Sequence, residues 1–134
     1  MQLEPNPGEI LENVYVVFVD NTSLWWLRLL KNGFRHCYLL YKLKSANGWL
    51  EINPYSNQTI VKYYSYPPDF DFPLYLRNVQ NARLCRLSVA YAPPVCAPVS
   101  FCTCVEFVKR AIGMHDKFIH TPYQLYKKIT NCRK

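Results

Sequence analysis

The chain has 134 residues, half of them hydrophobic and 19% charged, which supplies one core and excludes disorder throughout. Ten prolines against four glycines exclude collagen-like and low-complexity sequence, and 16% aromatics with eleven tyrosines favour a β-containing domain over a helical bundle. Sixteen Lys and Arg against nine Asp and Glu leave a formal charge of +7, so the surface favours polyanions: nucleic acid, an anionic membrane or a cell-wall polymer.

The sequence reads as a single domain over 1–134, with a polar lead-in at 1–12 and a folded core at 13–131. The lead-in has neither a basic stretch nor an apolar one, so no signal peptide is expected and the chain is placed in the cytoplasm of the producing cell. No run approaches the ~18 apolar residues of a membrane span. Six cysteines (Cys37, Cys85, Cys96, Cys102, Cys104 and Cys132) without an export signal are expected to be free thiols.

Asn13–Val19 is rich in β-branched and aromatic residues and predicts a buried strand. Ser23–Lys31 carries apolar groups in helical order until Gly33 stops it. Arg35–Lys44 and Trp49–Asn53 predict two strands joined by Ser45–Gly48, with Asn47-Gly48 as the hairpin signal. Thr59–Tyr64 predicts a third strand of this group, and Pro67 to Pro73 an irregular surface loop. Leu84–Tyr91 predicts another strand, and the prolines of Ala92–Pro98 force extended chain.

Two helices follow. In Thr103–Ile112, Thr103 and Glu106 form a capping box that makes Cys104 the first helical residue, with Gly113 as the stop. Thr121, Pro122 and Gln124 repeat that logic and start a helix reaching about Asn131. The expected fold is α+β: an antiparallel sheet of about five strands packed against helices. Phe18, Leu40, Ile52, Val61, Val89, Val105, Val108 and Ile112 are the expected core.

A thiol at the first position of a helix meets unpaired N–H groups and the positive end of the helix dipole, which favour the thiolate. Cys104 is therefore the candidate nucleophile, with Cys102 as the alternative if the helix starts earlier. Cys104 also lies on the apolar stripe, where a merely structural cysteine fits as well. Of the three histidines, His36 opens a strand and is the first candidate base. His120 is a candidate cap, and His115 sits in a polar connection. If Lys42 pairs with Trp49, Asn53 shares a sheet face with His36 and is placed to orient the ring, as is Glu51.

Gly33-Phe34-Arg35-His36-Cys37-Tyr38, the segment Trp49-Leu50-Glu51-Ile52-Asn53-Pro54, Thr103-Cys104-Val105-Glu106-Phe107-Val108-Lys109 with Gly113, and Thr121-Pro122-Tyr123-Gln124-Leu125 resemble small bacteriophage and prophage proteins. These are related to circularly permuted papain-like, NlpC-type thiol hydrolases, and the resemblance covers roughly 13–130. It implies a permuted papain-like order with Cys104 as nucleophile, His36 as base and Asn53 as orienter. It also implies amide cleavage through an acyl-thioester, a peptide or cell-wall substrate such as peptidoglycan, and a place in a phage particle beside other virion proteins.

Other readings differ in class. A non-enzymatic virion component would use the same scaffold without the chemistry. A nucleic-acid-binding module would use the charge and the tyrosines beside basic residues in Lys62-Tyr63-Tyr64 and Tyr126-Lys127-Lys128. Zinc on Cys102, Cys104, His115 and His120 has poor spacing, since C-x-C at a helix start does not suit a structural site. No metal or organic cofactor is expected.

Overall fold

The computed structural model describes residues 11–20, 31–44, 47–55, 58–88, 104–114 and 116–132. These form five strands, β1 (Leu11–Val19), β2 (His36–Leu43), β3 (Gly48–Pro54), β4 (Thr59–Ser65) and β5 (Arg83–Ser88). Three helices accompany them: α1 (Phe72–Gln80), α2 (Cys104–Ala111) and α3 (Pro122–Cys132). The strands make one antiparallel sheet in the order β4-β3-β2-β1-β5, so the protein is α+β. Among the described residues no helix is long and apolar enough to cross a membrane.

The two most apolar strands, β1 and β2, lie inside the sheet because both of their faces must be covered. Register sorts their side chains. Val14, Val16 and Phe18 share one face with Cys37, Leu39 and Cys85, and this core closes against Val105, Val108, Leu125 and Ile129 of α2 and α3. Val17, Val19, Tyr38 and Leu40 share the other face with Trp49 and meet Phe72 and Leu76 of α1.

Lys42 pairs with Trp49 and Leu39 with Ile52, which is the register under which Asn53 shares a face with His36. Gly48 does not take a left-handed conformation, and a larger residue there would have to displace the exposed Tyr63 ring. The Tyr63 ring lies over it, and a Cβ there would stand 2.6 Å from the phenol oxygen. The second capping box also forms: Thr121 Oγ1 accepts from the Gln124 amide at 3.2 Å, and Gln124 Oε1 accepts from the Thr121 amide at 3.1 Å.

Several expectations need correction. The lead-in is shorter than 1–12, because β1 already begins at Leu11. The Pro67–Pro73 segment is not loop throughout. Asp71 accepts from the Leu74 amide, Pro73 occupies the first turn, and α1 starts there. Val61 is not core but 60% exposed. It sits on the edge strand β4, whereas α2 lies over β2 and β3 and α3 over β5. Ile52 and Ile112 are half-buried at the margin of the core, while Phe18, Leu40, Val105 and Val108 lie inside it. The helix expected at Ser23–Lys31 lies, but for Lys31, outside the described residues. So do Val89 and the expected cap Thr103.

Candidate active site

β1 ends, β2 begins and β3 ends at the same edge of the sheet, and the candidate residues gather there. The entry to β2 is fixed locally. Gly33 turns the chain at φ +86°, its amide donating to Asp20, and the Arg35 amide donates to the Val19 carbonyl at 3.1 Å. Phe34 is buried, its ring 5.0 Å from Tyr123 and 4.8 Å from Tyr126. His36 therefore leaves a backbone held on both sides.

The β2–β3 register puts Asn53 on the face of His36, and His36 Nε2 lies 2.6 Å from Asn53 Oδ1. An amide oxygen can only accept, so Nε2 carries the proton and Nδ1 is left for another partner. Tyr55, just past β3, stacks on the imidazole at 5.5 Å between centroids and 18° between planes. Both His36 and Asn53 are buried at 8% exposure, so their bond is sheltered from water. Glu51, the alternative orienter, accepts instead from the Tyr64 hydroxyl at 3.5 Å and acts on His36 only through its charge. That carboxylate, together with burial, pushes the Tyr64 phenol up to about 12, burial being the larger cause.

Cys104 is the first residue of α2, which Val105 and Val108 pin against the sheet. Its half-buried thiol packs against the core that holds Cys37, and the His36 imidazole and Cys37 are the neighbours that set its charge. His36 and Cys37 leave opposite faces of β2, so both reach one sulfur only because it lies at the end of the strand. The β2–β3 pairing stops at Leu39–Ile52, short of His36 and Cys37.

These contacts decide the charge. The Cys37 hydrogen bond is the largest influence on Cys104; with the His36 bond and charge it overcomes burial and lowers the thiol to about 4. Burial opposes charge on His36, yet its bonds to Cys104 and Asn53 prevail and raise it above its ordinary 6.5. Burial, and then the bond and charge of Cys104, push the Cys37 thiol well up, so it stays protonated as a donor. Cys104 is thus biased towards the thiolate, Cys37 towards the neutral thiol, and His36 towards its protonated form.

Comparison of the chain with protein-family models, curated proteins and solved structures finds no match.

The structure thus brings Cys104, His36 and Asn53 together. The other candidates fall elsewhere. His120 is exposed, and it is its amide, not its ring, that donates to Gln124 Oε1 at 2.9 Å. Cys102 and His115 lie outside the described residues, and among those described no cluster of three or more His, Cys, Asp or Glu has the form of a metal site. Of the tyrosines beside basic residues, Tyr63 is exposed, whereas Tyr64 and Tyr126 are engaged in aromatic packing. Cys37 and Tyr55 were not among the candidates. Cys37 is hidden within an apolar strand, where a cysteine reads as a small hydrophobe. Tyr55 becomes visible only once Asn53 is placed, because it follows two residues later at the strand exit.

Proposed function

We propose that the protein is a cysteine hydrolase, an amidase or endopeptidase acting through an acyl-thioester in a permuted papain-like arrangement. The observation that carries this reading is the contact of a helix-initial thiol with an imidazole whose far nitrogen is bonded to an asparagine oxygen.

The Cys104 thiolate attacks the amide carbonyl carbon, forming the C–S bond and moving the π electrons onto oxygen. First-turn amides of α2 stand beside the sulfur to stabilise that oxyanion. Collapse breaks the C–N bond, and the leaving amine takes the proton from His36 Nδ1. Water then attacks the thioester, His36 accepts its proton, and the acid leaves with the thiolate restored. Asn53 keeps Nε2 protonated and the ring in plane throughout. The basic surface suits an anionic peptidic polymer, and the resemblance in the strand and helix motifs directs the search to peptidoglycan peptides in a phage setting.

The test is the covalent intermediate. Acid quenching during turnover of peptidoglycan fragments or peptide amides is expected to trap an acyl adduct on the peptide carrying Cys104, detected by mass spectrometry. Cys104→Ala is expected to give no adduct and no product with unchanged circular dichroism. Turnover that survives in Cys104→Ala removes this reading.

A further inference from the structure

Three cations that the mechanism does not use gather at the edge of the sheet where His36 opens β2. Lys31 starts the turn before β2, closed by the Phe34 amide donating to the Lys31 carbonyl at 3.0 Å. Arg83 opens β5 and pairs with Phe18 near the end of β1. Lys127 lies in α3, within the Tyr126-Lys127-Lys128 motif. Residues so far apart in sequence meet because Phe18, Phe34, Tyr123 and Tyr126 pack ring against ring, with centroids 4.8–5.7 Å apart.

The cations lie on that aromatic platform. Lys31 Nζ stands 4.0 Å and Lys127 Nζ 4.9 Å from the centre of the Tyr123 ring, and the Arg83 guanidinium 5.4 Å from that of Phe34. The ring faces offset part of the repulsion among like charges. No acid completes the balance. Among the described residues none of the three makes an ion pair, whereas Lys109 and Arg110 share Glu106. Asp20, whose carboxylate reaches the same turn as Lys31, accepts from the Gly33 amide instead. The three charges act together on one oxygen: they hold the Tyr123 phenol below its ordinary value of 10, Lys31 having the largest effect, ahead of Lys127 and Arg83.

We propose that Lys31, Arg83 and Lys127 form a binding site for a phosphate group, as inorganic phosphate or a phosphate monoester. A carboxylate brings one charge and two oxygens in a plane, which a single guanidinium satisfies. A phosphate dianion brings two charges and a tetrahedron of oxygens that accept from donors arriving in different directions. Two ammonium point charges, a guanidinium fork and the Tyr123 hydroxyl offer that set of donors. Phe34 is buried and the Tyr123 ring already carries two ammonium groups, which leaves little for a nucleobase to stack on.

This site does not depend on amide hydrolysis, and its test uses no activity. Inorganic phosphate is titrated into the isotope-labelled full chain at about pH 8, where it is mostly dianionic, with sodium chloride holding the ionic strength constant, and binding is read by NMR. The amide resonances of Lys31, Arg83 and Tyr123–Lys127 are expected to shift to saturation, while acetate at the same ionic strength moves them little. Lys31→Gln, Arg83→Gln and Lys127→Gln are each expected to raise the Kd about three- to tenfold. Lys62→Gln and Lys117→Gln remove the same charge outside the patch and are expected to change it less than about twofold. All five side chains are exposed, and circular dichroism checks that each variant keeps the fold. Equal losses from all five substitutions would show diffuse attraction by the +7 chain and overturn the proposal. An equal response to acetate, or no saturation, does the same. Glycerol phosphate separates the two sources: tighter binding than inorganic phosphate places the group on an organic ligand, and the reverse order leaves the free ion. Binding of decathymidylate through these residues, without binding of either phosphate, would assign the patch to a nucleic-acid backbone and overturn the proposal.

Discussion

At the scale of single residues, a thiolate paired with an imidazolium gives a pH window whose two limbs belong to different side chains. Below about 4 the Cys104 sulfur takes up a proton and the nucleophile is lost. Above the raised His36 value, higher than 6.5, the thiolate persists but the acid for the leaving amine is gone. Hydrolysis, followed as kcat/KM against pH, is therefore expected to rise on an acid limb near 4 and to fall on an alkaline limb above 6.5. Asn53→Ala removes a bond that supports the imidazolium, so the alkaline limb moves to lower pH. Asn53→Asp sets a carboxylate against the ring and moves it higher. His36→Ala moves the alkylation midpoint of Cys104 back towards the ordinary thiol range and lowers turnover by ~10²–10⁴-fold. Cys104, His36 and Asn53 were legible because helix capping and strand-pair arithmetic are local rules. Cys37 was not, because what distinguishes it from a core residue is a neighbour 67 positions away.

At the scale of elements, the same locality explains what was read and what was missed. Both C-terminal helices announce themselves through an apolar stripe, and α3 also through its Thr121–Gln124 capping box. Proline and aspartate made the start of α1 look like loop, although Asp71 and Pro73 are themselves start signals once a buried Phe72 and Leu76 follow. Val61 was misplaced because its apolar character carries no information about which strand forms the sheet edge. Nor does a sequence pattern anticipate Lys109, only 2% exposed in the middle of α2. Its ammonium bonds Glu106 at 2.9 Å and the Ile119 carbonyl at 3.0 Å, tying the helix that starts at Cys104 to the connection leading into α3. Lys109→Ala leaves a cavity and an unpaired buried carbonyl and is expected to cost about 3 kcal/mol or more in urea unfolding. Lys109→Met fills the same space, and because Glu106 keeps Arg110, it is expected to cost less than alanine.

At the scale of the whole molecule, the site exists only as a product of folding. Its imidazole lies in the first third of the chain and its sulfur in the last, and the sheet between them sets their separation. Unfolding should therefore change how Cys104 ionises, in the direction opposite to simple exposure. In the unfolded chain the thiol returns to an ordinary pKa of about 8.5, and at pH 5 roughly 0.03% of it is thiolate. Absolute rates discriminate poorly, because a thiolate of low pKa is intrinsically less nucleophilic, by roughly two orders of magnitude over such a span. The shape of the pH profile has no such ambiguity. Between pH 5 and 7 the alkylation rate of folded Cys104 is expected to be nearly flat, its thiolate being already formed. In urea above the transition, the rate is expected to climb about tenfold per pH unit over the same range. The change from flat to sloping must coincide with loss of the circular dichroism signal, since the ion pair and the sheet are lost together. A sloping profile in the native protein would mean that the imidazole and the sulfur do not form the ion pair in solution.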